Sequence, residues 1–153
     1  MRTDWHEYFI NMALQAATRS TCRRRQIGAV IVKDKVMIST GYNGAPRGIK
    51  DCLEMGCLRD ELGITSGTRH EICRAVHAEQ NAIIFAGLER CSGAILYTTT
   101  SPCIICAKMI IQARIQMVIY SSLYTETEAK KLLKEANVGL VQLLIPTPNT
   151  EVK

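Results

Sequence analysis

Five short runs of β-branched and aliphatic residues punctuate this chain, and the segments between them carry helical spacing. Few folds accommodate both. Residues 27–42, IGAVIVKDKVMISTGY, read as a hairpin whose two runs flank Asp34-Lys35 and close at Gly41. AILYTT (94–99), MVIY (117–120) and LVQLLI (140–145) supply a third, fourth and fifth strand. Residues 4–18 place Trp5, Phe9, Met12, Ala13 and Ala16 at helical spacing, with Asp4 and Glu7 in a capping-box pattern. Further helices are predicted over 76–87, 103–113 and 126–136, the last stopped by Gly139. Helices alternating with strands after an opening hairpin predict an α/β fold with a central, mostly parallel sheet covered on both faces. With no repeat, linker or low-complexity stretch, the 153 residues read as one domain over 1–146 and a C-terminal tail over 147–153.

No run approaches 18 consecutive apolar residues, so no membrane span is expected. The opening MRTDWHEYFINMALQ carries acidic residues and lacks the apolar core of a secretory signal, so a cytoplasmic location is expected. In that reducing compartment seven clustered cysteines point to metal more than to disulfides. The net charge is +5, and Arg19, Arg23, Arg24 and Arg25 bunch in TRSTCRRRQ, which suits an anionic ligand.

TTTSPCIICAK (98–108) sets Cys103 and Cys106 three apart at the predicted start of a helix, where both point the same way. A helix N-terminus stabilises thiolates, and Pro102 fits the start of that helix. Two thiolates do not complete a metal site. CRAVHAEQNAIIFAG offers a third ligand in His77, at the predicted first turn of its own helix, with Glu79 two residues on. One imidazole and two thiolates fill three tetrahedral zinc positions and leave a fourth for water, as a catalytic zinc requires. Glu79 is too close to His77 in sequence to be a ligand in the same turn, but it can reach the zinc-bound water.

The H-A-E and P-C-I-I-C elements together form the zinc-deaminase signature. With GAVIVKD, GYNGAP, HAEQNAI and SPCIICAKMIIQARI in order over residues 4–144, the chain resembles the cytidine deaminase-like superfamily and, within it, the deoxycytidylate (dCMP) deaminases. That resemblance implies a three-layer α/β/α sandwich with a five-stranded mixed sheet. It implies hydrolytic deamination of dCMP to dUMP and ammonia by a zinc-activated water, with Glu79 as general acid/base and His77, Cys103 and Cys106 as ligands. Asn43 would contact the sugar or pyrimidine. Arg19 and Arg25, with Tyr124, would meet the phosphate. Homo-oligomers, and in some members dCTP and dTTP as effectors, are also implied, though no motif here decides either.

Residues 43–73 resist the scheme: about thirty residues with little strand signal and at most a short helical turn at CLRDEL. An irregular stretch this long needs something to fix it. The resemblance implies a second, structural zinc on Cys22, Cys52, His70 and Cys73, with Cys57 able to replace either of the last two. Cys91 is expected in the core and His6 at the surface. A deaminase of RNA bases would share the zinc centre, but only eight aromatic residues are available for stacking bases, so nucleic acid is not the expected partner. A nucleoside or riboflavin-pathway deaminase is a further alternative, though the arginine cluster argues for a charged ligand. A non-catalytic zinc module would not need Glu79.

Overall fold

The computed structural model describes residues 1–124 and 127–145, so the predicted tail over 147–153 lies outside the described residues. Helix α1 (Trp5–Ala17) leads into β1 (Gly28–Lys33) and β2 (Val36–Tyr42). Two short helices follow, α2 (Cys52–Met55) and α3 (Leu58–Glu61), then a 3-10 turn at His70–Ile72. The rest runs α4 (Ala78–Ala86), α5 (Leu88–Cys91), β3 (Ile95–Thr100), α6 (Ile104–Gln112), β4 (Met117–Ser122), α7 (Thr127–Glu135) and β5 (Gly139–Gln142). No helix among the described residues is long and apolar enough to cross a membrane.

The strands pair in the order β2-β1-β3-β4-β5. Asp34 and Lys35 both take positive φ, the two-residue hairpin turn whose twist matches the strands it joins. The expected mostly parallel sheet is corrected here: β1 is antiparallel to both β2 and β3, and only β3-β4 and β4-β5 are parallel. The tight hairpin forces the first reversal. The second arises because β3 returns along the direction of β2 after α4, which leaves β1 running against both neighbours. The sheet is therefore mixed, as the family resemblance implied.

Two cores form, one on each face. Phe9, Ile10 and Ala13 of α1 pack on Val30, Val32, Tyr97 and Ile119. On the other face Ala82, Ala107, Ile110 and Leu133 of α4, α6 and α7 cover Ile31, Leu96 and Val118. Burying a side chain such as Ile10 or Ile110 contributes about 1.5–3 kcal/mol, and both are fully enclosed. The expected three layers are present, and Cys91 is in the core as expected.

Helix ends follow local chemistry. Asp4 caps α1 by accepting from the His6 amide; the expected capping box with Glu7 is not made. A capping box forms instead at Asp51 and Glu54, opening the unpredicted α2. Asn137, in the left-handed region, stops α7, whereas Gly139, expected as the stop, begins β5. The predicted start of this helix at 126 falls outside the described residues.

Gly28 and Gly41 let the helices touch the sheet. A Cβ on Gly28 would lie 2.0 Å from the Ala13 carbonyl oxygen of α1, and one on Gly41 would lie 2.2 Å from the Ala78 oxygen of α4. Gly41→Ala is therefore expected to lose roughly 1–3 kcal/mol by forcing α4 away from β2. Urea unfolding at unchanged m-value would measure it; a variant as stable as the parent would mean that α4 yields at no cost.

Candidate metal centre and pocket

The carboxyl ends of β2 and β3 lie at the same end of the sheet, and α4 and α6 begin there. His77 is the N-cap of α4 and Cys103 the N-cap of α6, both in extended conformation, one residue before the first helical turn in which each was expected. Pro102 accordingly precedes the cap. His77 is held from both sides. Val76 makes a two-way backbone bridge with Gly44, 2.8 and 3.1 Å, and the His77 amide donates to Gln80 Oε1 at 2.8 Å.

His77 Nδ1 lies 3.4 Å from Cys103 Sγ and 3.3 Å from Cys106 Sγ. Among the described residues this is the only group bringing three such donor atoms within 4.8 Å of one another. Zinc bonds of ordinary length at tetrahedral angles separate a nitrogen from a sulfur by about 3.5 Å. The triangle therefore fits zinc without rearrangement. Without metal, Cys103 carries the charge: the Cys106 thiol donates to it and the His77 ring lies beside it, holding its pKa at about 4. The same bond, with burial, pushes Cys106 far up, while Cys103 raises His77. A dication at this point would release the remaining thiol proton. Both helix N-termini face the same charge.

Glu79, in the first turn of α4, is 3% exposed. Its Oε2 lies 3.6 Å from Cys106 Sγ, and burial pushes its pKa up. Thr98, fully buried on β3, is 3.1 Å from Glu79 Oε1 and equally far from the Thr100 carbonyl, so its one proton serves either acceptor. Sequence reasoning passed over Thr98. Its signal is the strand's period of two, which puts Thr98 on the same helix-covered face as Leu96.

The triad and Glu79 open into a pocket whose walls include Arg25, Asn43, Arg59, His70 and Tyr124. Asn43 braces it. Its Oδ1 accepts from the Ile27 amide at 2.9 Å and the Ser20 hydroxyl at 2.6 Å, and its Nδ2 donates to the Arg25 carbonyl at 2.8 Å. An amide nitrogen has two protons, so one donor is left for a ligand. Arg25 stacks 5.0 Å over the Tyr124 ring, and Ser101 fixes Tyr124 through its backbone nitrogen at 2.6 Å and oxygen at 3.1 Å. Gly67, at positive φ, leaves room for the Tyr124 hydroxyl, which a Cβ would meet at 2.5 Å.

Arg19 stands apart, exposed beyond the end of α1 and outside the pocket wall. Arg23 and Arg24 fasten the long segment instead. Arg23 donates to the Leu53 carbonyl at 3.2 Å; Arg24 pairs with Asp60 at 2.5 Å and donates to the Ile64 carbonyl at 2.6 Å. Arg74 donates to the Lys50 carbonyl.

The second set of candidate ligands is split. His70 packs edge-on against the His77 ring, centroids 5.3 Å apart, with its Nε2 3.5 Å from the Tyr124 hydroxyl. The Cys52 thiol is pushed up by burial first and then by the neighbouring thiols of Cys57, Cys22 and Cys73. All seven cysteines are free of disulfides. His6, in α1, bonds the Tyr97 hydroxyl at 2.9 Å, away from this site.

Residues 3–122 match the family model of the cytidine and deoxycytidylate deaminase zinc-binding region. The chain is 42% identical over 147 residues to the deoxycytidylate deaminase of Schizosaccharomyces pombe, covering 95% of this chain but 46% of the yeast protein, and so spans about half that relative's length. It is 43% identical over 124 residues to the deoxycytidylate deaminase of Mycobacterium phage D29, covering 78% of this chain and 95% of the phage protein. Among solved structures, the dCMP deaminase of cyanophage S-TIM5, in complex with dCMP and dUMP, superposes with a TM-score of 0.75 at 30% identity, covering 94% of this chain and 99% of that one. A zinc-fitting triad beside a pocket that Glu79 also lines and these likenesses agree: the chain belongs to the cytidine and deoxycytidylate deaminase family.

Proposed function

We infer that the chain hydrolyses dCMP to dUMP and ammonia. The observation that carries the reading is Glu79 buried beside the His77–Cys103–Cys106 triangle, in a pocket also lined by Arg24, Arg25, Arg59 and Tyr124. A zinc held by those three side chains would supply Lewis-acid activation of a water. Glu79, within one water of that position, takes one proton from the attacking water and gives it to pyrimidine N3, then carries the proton of the resulting C4 hydroxyl to the amino group, which leaves as ammonia. Asn43 directs its remaining amide proton at the sugar or base. Arg25 and Tyr124 meet the phosphate, with the exposed Arg19 outside that contact.

The same reading includes a structural zinc on Cys22, Cys52 and Cys73. His70 faces the catalytic pocket, and Cys57 is the fourth ligand that the surroundings of Cys52 support. Because these thiols are wider apart than the catalytic donors, binding would draw them together. Homo-oligomers and control by dCTP or dTTP belong to this reading; exposed Ile84, Phe85 and Leu88 on α4 and α5 support the assembly. A cytoplasmic setting suits seven unpaired cysteines.

Ammonia release should be followed with dCMP, deoxycytidine, CMP and dCTP side by side. Turnover of dCMP well above the others is expected, and inertness toward all four in zinc-loaded protein would end the proposal. Glu79→Gln should keep its zinc while kcat falls by roughly 10²–10⁴; retention of most of the turnover would remove Glu79 from the mechanism. Metal analysis is expected to find two zincs per chain, falling to one in Cys52→Ser. A single zinc in the parent chain would dispose of the structural site.

A further inference from the structure

One wall of the pocket is made by two arginines whose charge is not fully answered. Arg59, on α3, is 7% exposed. Its Nη2 donates to the Thr65 carbonyl at 3.3 Å, and its buried Nε has no acceptor. Arg24 faces the same pocket from the segment before β1. Its Nε and Nη2 are taken by Asp60 and Ile64, and its buried Nη1 has no acceptor. Among the described residues these are the two buried side-chain nitrogens without a partner.

A guanidinium cannot shed its proton to escape burial, and buried polar groups in folded proteins have partners. Asp60 already serves Arg24, and no carboxylate pairs with Arg59 among the described residues. Both arginines line the cavity that also holds Glu79 and the metal triad. The missing acceptor is thus a group that enters with the ligand, and it must be anionic with several oxygens. The reacting base belongs against His77, Cys103 and Glu79, which line the same cavity. Arg59 lines the same cavity, with Ser66, Gly67 and Tyr124. A 5′-phosphate monoester meets this description, and its oxygens match the fork of an arginine.

We propose that Arg59, backed by Arg24, anchors the phosphate of the substrate and makes the enzyme select a nucleotide over the corresponding nucleoside. This rests on the deaminase reading above. The test is the ratio of kcat/KM for dCMP to that for deoxycytidine in the parent chain and in Arg59→Met, with zinc content and melting temperature measured alongside. A fall in the ratio of roughly ten-fold or more, carried by KM for dCMP, is expected. An unchanged ratio in folded, zinc-loaded Arg59→Met overturns the proposal and leaves Arg59 as a pin for the 58–65 turn. Should Arg59→Met fail to fold, Arg59→Lys decides, since it keeps the charge and loses the fork: a several-fold fall in the ratio supports the anchor, and none overturns it. If the parent is inert toward both substrates, the deaminase reading fails separately, and inorganic phosphate becomes the probe. Phosphate that raises the melting temperature of the parent but not of the Arg59 variant still assigns the anion subsite; no rise in the parent removes it.

Discussion

Two helices starting at the same point in space are what the rest of this structure depends on. His77 and Cys103 are N-caps, so each side chain stands where its helix presents unbonded amides. The geometry holds only if both helices lie flat against the sheet with their first residues at its edge. Gly41 permits that for α4, and the alanines of α6 (Ala107) and α4 (Ala78, Ala82) keep the two close. The chemistry is thus a by-product of small residues: bulkier ones would separate the halves of the triad before touching any ligand.

The arginine segment divides its labour along six residues. Arg23 and Arg24 turn outward and inward to hold carbonyls and a carboxylate of the 53–64 stretch, while Arg25 turns to the Tyr124 ring. Asn43 joins the divisions, since it takes protons from both Ser20 and Ile27 and gives one to the Arg25 carbonyl. These arginine bonds add to the backbone turns and buried Cys52 and Cys57 that order the long irregular segment.

What was legible in the sequence had local causes. Strand and helix periods and the Asp34-Lys35 turn depend on neighbours a few positions away, and each was readable; the structure also brings together His77, Cys103 and Cys106, which the sequence pointed to as a group. The helix α2 was equally readable, because Asp51 and Glu54 form its capping box, but three cysteines drew attention from it. What stayed hidden depended on distant parts. The antiparallel pairing of β1 with β3 follows from where α4 returns the chain, not from either strand's residues. Arg19 and Arg25 look alike as letters; only the end of α1 exposes one and only Tyr124 engages the other. Arg59 could not be found at all, since its interest lies in an acceptor it lacks.

The split of the triad between two helices has a consequence beyond catalysis. An ion held by His77 and Cys103 together ties residues 26 apart and so acts as a cross-link in the chain. By the loop-closure relation used for disulfides, a tie of that length removes on the order of 3–4 kcal/mol of entropy from the unfolded ensemble. The loop so closed contains the whole of α4, α5 and β3. An ion at this triad would then also clasp the stretch from α4 to β3, and its loss would be felt as a loosening of the protein.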